Sequence, residues 1–121
     1  MPVTYAEDPD TRTVVLTVNG RVTQADWDEI TPQFETFMNA HGTIRLVEII
    51  ESLKGFDPGL LWDGIRFDIK AIPHISHCAI ATDIGWMSPI VRAAGAAMSM
   101  QLRIFPLAEA EAAKEWAVTA D

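Results

Sequence analysis

Histidine and cysteine, two residue types that bind zinc, are concentrated at residues 73–78, PHISHC. A zinc site needs three or four ligands that converge on one ion. His74, His77 and Cys78 have suitable side chains, but no second cluster in the sequence completes the set. Cys78 also begins an apolar run typical of a buried strand, where a free cysteine usually packs as a small hydrophobe. We therefore expect no metal site at this segment.

Glu48 is a second candidate for chemistry, because it lies inside the apolar run at residues 44–51. A carboxylate on the same strand face as Leu46 and Ile50 can act as a general acid or base. It can also pair with an arginine or point to the rim of the sheet, and we favour this structural role. The sequence offers three arginine partners: Arg45, Arg66 and Arg103.

The sequence lacks the usual motifs of nucleophilic catalysis and phosphate binding. No serine has around it the strand-to-helix elbow that exposes a catalytic hydroxyl. The glycine-containing stretches GFDPG and AAGAA do not have the spacing of a phosphate-cradling loop. We therefore expect a non-enzymatic protein with no catalytic residue and no cofactor.

Residues 55–64, GFDPGLLWDG, are typical of a helix start rather than of a catalytic loop. Asp57 suits the N-cap position and Pro58 suits the first helical position. Gly59 has no side chain to obstruct the helix entrance. Gly55 and Phe56 are interpreted as the end of the preceding turn.

The helix predicted at residues 60–72 carries two apolar strips, roughly 150° apart. One strip is enough to cover a core. The second strip contains Leu60 and Phe67, and it could meet another subunit, a membrane interface or an apolar ligand. Contact with a neighbouring helix of the same domain is an equally good interpretation.

The next predicted helix, within residues 84–98, offers a further apolar surface. Its start is open, because Ser88 could cap it with Pro89 at the first helical position. Trp86 and Met87 lie near its start, and Ile90 belongs to its apolar stripe. The small residues AAGAA either let another helix approach closely or leave room for a ligand. We favour close packing, because small residues are ordinary packing devices.

Hydrophobic periodicity predicts the elements that position these residues, in the order ββαβαβαβα. This order implies an α/β fold, with about four helices and a five-stranded mixed sheet whose first strand is antiparallel. Thr23 and Asp26 form a capping-box signature before the first helix, which ends at Gly42 and should kink at Pro32. The strands are expected at residues 3–5, 13–18, 44–51, 78–82 and 100–105.

Length and composition limit the class of protein. The 121 residues fit a single domain, 1–121, and the net charge of −8 argues against a nucleic-acid partner. The only cysteine is Cys78, the N-terminus does not resemble an export signal, and no apolar run approaches the roughly 20 residues that span a membrane. We therefore expect a cytoplasmic protein. The hydrophobic fraction of 49% leaves apolar surface for a ligand or a second subunit.

Five pieces of sequence carry a resemblance to a known family: Gly20 before the first helix, Pro32 inside it, HGTIRL at 41–46, GFDPGLLWD at 55–63, and the pair Trp86 and Met87. In this order they resemble the SpoIIAA-like, STAS-related proteins of bacteria over nearly the whole chain. The resemblance implies a βα-superhelix with a mixed sheet. It also implies a fold similar to that of CRAL-TRIO lipid carriers, and hence binding of nonpolar ligands or association with membranes.

The same resemblance bears on phosphorylation. The better-known STAS anti-sigma-factor antagonists carry a phosphorylatable serine at the start of the helix that corresponds to residues 60–72. The matching positions here are Asp57, Pro58 and Gly59, so the serine is missing. We therefore expect no phosphoswitch at this place.

Together these observations predict a non-enzymatic STAS-like module that reversibly binds a nonpolar ligand or a membrane interface. The alternative is a regulatory protein-interaction module, in the form of a homodimer or with another partner, that uses the same surface. An enzyme that uses Glu48 or His74 is the third and least favoured interpretation. The predicted contacts are Leu60, Phe67, Trp86, Met87 and Ile90.

Overall fold

Five strands and two α-helices make up residues 3–56, 71–85 and 100–121, the part of the chain that the computed structural model describes. The helices are α1 (Gln24–His41) and α2 (Ala110–Thr119). Short 3-10 turns, Ile72–His74 and Leu107–Glu109, precede β4 and α2. The strands are β1 (Val3–Asp8), β2 (Thr13–Val22), β3 (Ile44–Phe56), β4 (Ile75–Thr82) and β5 (Gln101–Phe105).

The strands form one sheet in the order β1-β2-β3-β4-β5. β1 is antiparallel to β2, whereas β2 to β5 run parallel to one another. A tight turn joins the antiparallel pair, in which Arg12 has a φ of 55° and the Asp10 amide donates to the Asp8 carboxylate at 2.9 Å. The predicted five-stranded mixed sheet with an antiparallel first strand is confirmed.

β2 and β3 run past their predicted ends. The two strands pair as far as Val22 and Phe56, across two register shifts. Gly20 and Gly55 have φ values of 105° and 122° in this region, which glycine adopts without steric cost. The interpretation of Gly55 and Phe56 as the end of a turn is therefore wrong, because glycine here permits an irregular strand to continue.

α1 is bounded by the residues that the sequence predicts. The Thr23 hydroxyl accepts from the Asp26 amide at 3.3 Å, and the Asp26 carboxylate accepts from the Thr23 amide at 2.9 Å, which completes a capping box. Gly42, with a φ of 77°, ends the helix and donates its amide to the Met38 carbonyl at 2.8 Å. Pro32 lies inside the helix, and the kink expected there stays a prediction.

Helices cover both faces of the sheet and divide the core into two clusters. Along β3, Leu46 and Ile50 belong to the cluster under α1, whereas Val47 and Ile49 belong to the cluster under α2. This alternation shows that β3 is a central strand that is buried on both faces. Further members under α1 are Val14, Phe34, Phe37, Met38, Ile44, Cys78 and Ile80, and under α2 they are Ala79, Ala81, Phe105, Ala113 and Ala117.

The described residues contain two α-helices, whereas the sequence predicts about four. The other two were expected at 60–72 and 84–98, which lie for the most part outside the described residues. At the margins that are described, Ile84 and Gly85 are not helical, which excludes a helix start at Ile84. The alternative start at Ser88 lies outside the described residues and stays a prediction. Neither α1 nor α2 combines the length and the apolar character that a membrane-crossing helix needs.

Candidate functional site

A cleft of about 190 Å³ lies between the N-terminal half of α1 and the sheet; we call it the α1 cleft. Its walls come from four elements. The lining residues are Val3 of β1, Leu16, Val18 and Val22 of β2, Glu48 and Ile50 of β3, and Asp26, Trp27 and Ile30 of α1. Most of these side chains are apolar, and the charged residues among them are both acidic. The α1 cleft is the candidate functional site.

Strand register brings the floor of the α1 cleft together. Val18 pairs with Val3 on one side and with Ile50 on the other, so the three side chains form one row across the sheet. Leu16 pairs with Glu48 in the neighbouring row. Because side chains alternate between the two faces of a strand, every second residue of β2 points toward α1. The floor therefore results from pairing among three strands.

The α1 cleft forms because the C-terminal end of α1 packs closely on the sheet and its N-terminal end does not. Toward its C-terminal end, Phe34 and Met38 are each only 2% exposed and fill the space below the helix. Toward its N-terminal end, Asp26, Trp27 and Ile30 face the sheet at helical spacing and leave the cleft open. The end of α1 beside the capping box thus forms the roof.

Asp26 places a buried carboxylate at the α1 cleft. The residue is 8% exposed, and its Oδ2 accepts from both the amide and the hydroxyl of Thr23, at 2.9 and 2.8 Å. These two donors offset the cost of burying the carboxylate. The sequence predicts the capping box, but not that the same side chain lines a cleft.

Glu48 is half-buried in the α1 cleft, on the predicted face with Ile50. Two of the three arginines expected near it have other contacts. Arg45 lies on the α2 face, where its Nη1 donates to the carbonyls of Ala117, at 2.7 Å, and Ala120. Arg103 stacks over Phe105 of the α2 cluster, 4.8 Å from the ring centroid. Arg66 lies outside the described residues.

Arg45 has a structural role that its position on β3 explains. The two carbonyls that it contacts belong to the C-terminal end of α2, where the helix dipole is negative. The guanidinium therefore fixes α2 on the face of the sheet opposite to the α1 cleft. A second hydrogen bond joins the sheet to the residues after α2, because Nε2 of Gln101 in β5 donates to the carbonyl of Asp121 at 2.7 Å.

His74, His77 and Cys78 do not converge on one point. β4 begins at Ile75 rather than at Cys78, so the two neighbouring side chains His77 and Cys78 point to opposite faces of the sheet. Cys78 is buried in the α1 cluster. His74 lies before the strand, and its Nδ1 is 2.7 Å from the Gly42 carbonyl. Within the described ranges, no three metal-binding side chains come together.

Tyr5 borders the α1 face of the sheet. Its ring meets Phe34 edge-on, with 6.4 Å between centroids, and its hydroxyl donates to the Glu7 carboxylate at 2.6 Å. Partial burial, and then the hydrogen bond and the negative charge of Glu7, raise the pKa of the Tyr5 phenol well above its usual value. The phenol is therefore a neutral packing group at physiological pH.

A second depression, of about 470 Å³, lies between the outer side of α1 and the β1–β2 turn. Its lining mixes polar side chains such as Gln33 and Thr36 with Pro32 and Phe37. Its described lining residues do not include a row of apolar strand residues like the one that floors the α1 cleft. We therefore take the α1 cleft, rather than this depression, as the candidate site.

The site residues predicted from the sequence fall in two segments, 57–67 and 86–90. They lie outside the described residues, so they stay predictions: Asp57, Pro58, Gly59, Leu60, Phe67, Trp86, Met87 and Ile90. Of the strand residues that line the α1 cleft, sequence reasoning singled out Glu48 and missed those of β1 and β2. The alternation along β2 and the spacing of Trp27 and Ile30 were the available signals, but neither reveals which faces meet.

The mixed sheet, the helix after β2 and the covering helix α2 define an α/β module of the STAS type. The chain belongs to the SpoIIAA-like family, whose family model matches residues 13–118. The resemblance found in the sequence is thus confirmed for this family. The similarity to CRAL-TRIO lipid carriers stays a prediction.

A solved structure supports the same fold. An uncharacterized protein with a SpoIIAA-like fold from Shewanella loihica PV-4 superposes with a TM-score of 0.78. The two are 19% identical, and the match covers 95% of this chain and 91% of that chain. At this identity the likeness concerns the fold alone. No curated protein matches the chain.

Proposed function

We propose that this protein is a non-enzymatic STAS-like module that reversibly binds a nonpolar ligand in the α1 cleft. The observation that carries the proposal is the cleft itself, a concave space floored by Val3, Val18 and Ile50 and roofed by Ile30 and Trp27. Small-molecule sites are typically concave and mostly apolar, with a few polar groups that orient the ligand. Removing apolar surface from water supplies the affinity, at roughly 25 cal/mol per Å².

Binding is favoured over catalysis by the side chains at the α1 cleft. Asp26 already accepts two hydrogen bonds from Thr23, which hold the start of α1. Glu48 is the remaining ionisable side chain among the described residues of the lining. Nucleophilic catalysis needs a serine, cysteine, lysine or similar group beside a base. The described lining contains no serine, cysteine, histidine or lysine to serve in that role.

The homodimer alternative receives less support from the described surface. Within residues 3–56, 71–85 and 100–121, the large apolar residue that stands out as exposed is Val118, at 36%. A stable dimer needs a contiguous apolar patch rather than a single side chain. A contact surface built from Leu60 and Phe67 stays a prediction.

Native mass spectrometry of the purified protein, followed by extraction and identification of bound compounds, tests the proposal. The expected result is a monomer that carries a nonpolar molecule of low mass. A ligand-free protein that also stays ligand-free after incubation with nonpolar compounds would contradict it. A ligand-free dimer that Phe67→Asp splits would instead support the interaction module.

The same experiment tests the predicted contacts separately. We expect Phe67→Asp and Trp86→Ala to lower ligand loading, if these side chains extend the apolar surface around the ligand. If both variants keep the loading and the oligomeric state of the wild type, the predicted contacts are wrong. The α1 cleft is then tested independently by substitutions within it.

A further inference from the structure

We propose that Asn19 is a site of spontaneous deamidation, and that the strand pairing around it limits the rate of the reaction. Asn19 is exposed near the end of β2 and is followed by Gly20. The only other asparagine of the chain, Asn39, is also exposed, but it lies inside α1 and is followed by Ala40. Asparagine is thermolabile, and glycine has no side chain that shields the adjacent amide. The modification does not depend on ligand binding.

The reaction needs only water besides the chain itself. The backbone nitrogen of Gly20 attacks Cγ of Asn19, so that a bond from nitrogen to Cγ forms and the bond from Cγ to Nδ2 breaks. Nδ2 leaves as ammonia and takes with it the proton of the Gly20 amide. Water then opens the resulting cyclic imide at either carbonyl carbon, which gives aspartate or isoaspartate. No oxidant, reductant or metal takes part.

Asn19 lies where β2 and β3 extend past their neighbours. The pairing of β1 with β2 reaches Val18, and the pairing of β4 with β3 reaches Ile50. Among the described strands, residues 19–22 and 52–56 pair beyond these points with each other alone, and we call them the β2–β3 ribbon. A two-stranded ribbon is marginally stable, so it opens at a lower cost in free energy than the centre of the sheet.

The β2–β3 ribbon is also irregular at the reacting residues. Register shifts lie immediately before Asn19 and immediately after Gly20. Gly20 has a φ of 105°, which departs from regular strand geometry and which glycine adopts without steric cost. The ladder is thus disturbed on both sides of the dipeptide that has to rearrange, and disturbed pairing lowers the cost of local opening.

The closed β2–β3 ribbon keeps the reacting atoms apart. Side chains project from a strand out of the sheet, whereas the backbone amides lie in its plane. Ser52, which pairs with Asn19 across the ribbon, adds a second restraint, because its hydroxyl donates to Oδ1 of Asn19 at 2.7 Å. This hydrogen bond holds the side-chain amide in place. Opening of the ribbon therefore has to precede the attack by the Gly20 nitrogen.

Deamidation at this place affects the start of α1. In isoaspartate the main chain passes through the side-chain methylene, so the backbone of β2 becomes longer. The lengthened strand no longer fits the register that leads to Val22, which lines the α1 cleft, and to Thr23, which caps α1. We therefore expect the isoaspartate form to unfold at a lower temperature than the unmodified protein.

Peptide mass spectrometry of the full chain, incubated at mildly alkaline pH, tests the proposal. Asn19 should change from the mass of an amide to that of an acid, while Asn39 serves as the internal control and keeps its amide. Asn19→Gln should remove the modification, because ring closure from the longer side chain is much slower. Conversion of Asn19 and Asn39 at the same rate, or no conversion of Asn19, would overturn the proposal.

The variant Ser52→Ala tests the role of the strand pairing. Conversion of Asn19 should become about fivefold faster, because a hydrogen bond of about 1 kcal/mol no longer holds the closed ribbon. Thr119→Ala is the matched control, since it removes an exposed hydroxyl whose 2.7 Å bond to the Glu115 carbonyl lies in α2, and it should leave the rate unchanged. An equal or slower rate in Ser52→Ala would show that the hydroxyl does not restrain Asn19. If Ser52→Ala does not fold, the wild-type comparison with Asn39 still decides.

Discussion

His77 is a buried polar side chain, 5% exposed, whose two ring nitrogens have different surroundings. Its Nδ1 is 2.8 Å from the Ser76 hydroxyl, which donates to the Ile44 carbonyl at 3.3 Å. The hydroxyl can therefore accept from Nδ1–H, which leaves a lone pair on Nε2. In the described part of the chain, this Nε2 is buried without a hydrogen-bond partner. An orphaned acceptor of this kind reduces stability.

His77→Phe should therefore stabilise the protein, by about 1 kcal/mol in the free energy of unfolding. Phenylalanine preserves the ring contact with Trp116, whose centroid lies 5.7 Å away, and removes the buried acceptor. Urea unfolding followed by circular dichroism measures the change. His74→Phe is the control, because this ring contacts the Gly42 carbonyl and should not gain stability. A clear loss of stability in His77→Phe would show that Nε2 is satisfied.

For single residues, the sequence predicts the strand face of a side chain better than its contact partners. It places Glu48 on the correct strand face, with Ile50, but it cannot reveal that Arg45 of the same strand contacts α2 instead. It also groups His77 with Cys78, because adjacency in sequence looks like adjacency in space. In a strand, adjacent side chains point in opposite directions.

At the scale of elements, the start of α1 joins stability to the candidate site. Thr23→Ala removes the hydroxyl that accepts from the Asp26 amide and donates to its carboxylate. We expect a loss of about 1 kcal/mol in the free energy of unfolding and weaker binding of a small nonpolar probe such as p-cresol, because Asp26 lines the cleft. Thermal unfolding and an NMR titration with the probe measure the two effects.

The control for this substitution is Thr36→Ala on the same helix. Thr36 is exposed, its hydroxyl donates to the Pro32 carbonyl at 2.8 Å, and it lies away from the α1 cleft. Its loss should change stability little, because such bonds within a helix add little. If Thr23→Ala and Thr36→Ala behave alike, the capping box does not stabilise α1 as described.

Whether a segment forms a helix or a strand is predictable here, because the local sequence signals agree with the fold. Where each helix or strand ends is less predictable. The Thr23 and Asp26 pair and Gly42 fix both ends of α1 from the sequence. The ends of β2 and β3 are different, because Gly20 and Gly55 look like turn residues. Pairing between the two strands determines where they end, and this pairing continues to Val22 and Phe56.

At the scale of the whole molecule, the order of the strands explains where a ligand site can form. In open parallel sheets, ligands usually bind at the carboxyl ends of the strands, where the strand order reverses. Among the described strands, β2 to β5 follow one another without a reversal. No crevice of that kind arises between them, so concavity has to come from the packing of a helix on the sheet, as it does under α1.

The same order explains why the α1 cleft could not be predicted from the sequence. Its walls combine β1, β2, β3 and α1, and their relative placement depends on strand register and on the uneven packing of α1. Periodicity identifies the apolar face of each element separately. It does not identify the gap that remains when Phe34 and Met38 fill only one end of the interface.

Filling the α1 cleft tests directly whether a nonpolar ligand binds there. Val18→Phe adds a ring at the floor of the cleft, and Thr17→Phe adds the same ring one residue away, on the opposite face of β2. The measurement is a p-cresol titration followed by amide chemical shifts. We expect saturable shifts at Trp27 and Ile50 in the wild type and in Thr17→Phe, and their loss in a folded Val18→Phe. Unchanged binding by Val18→Phe would show that the ligand does not bind in the α1 cleft.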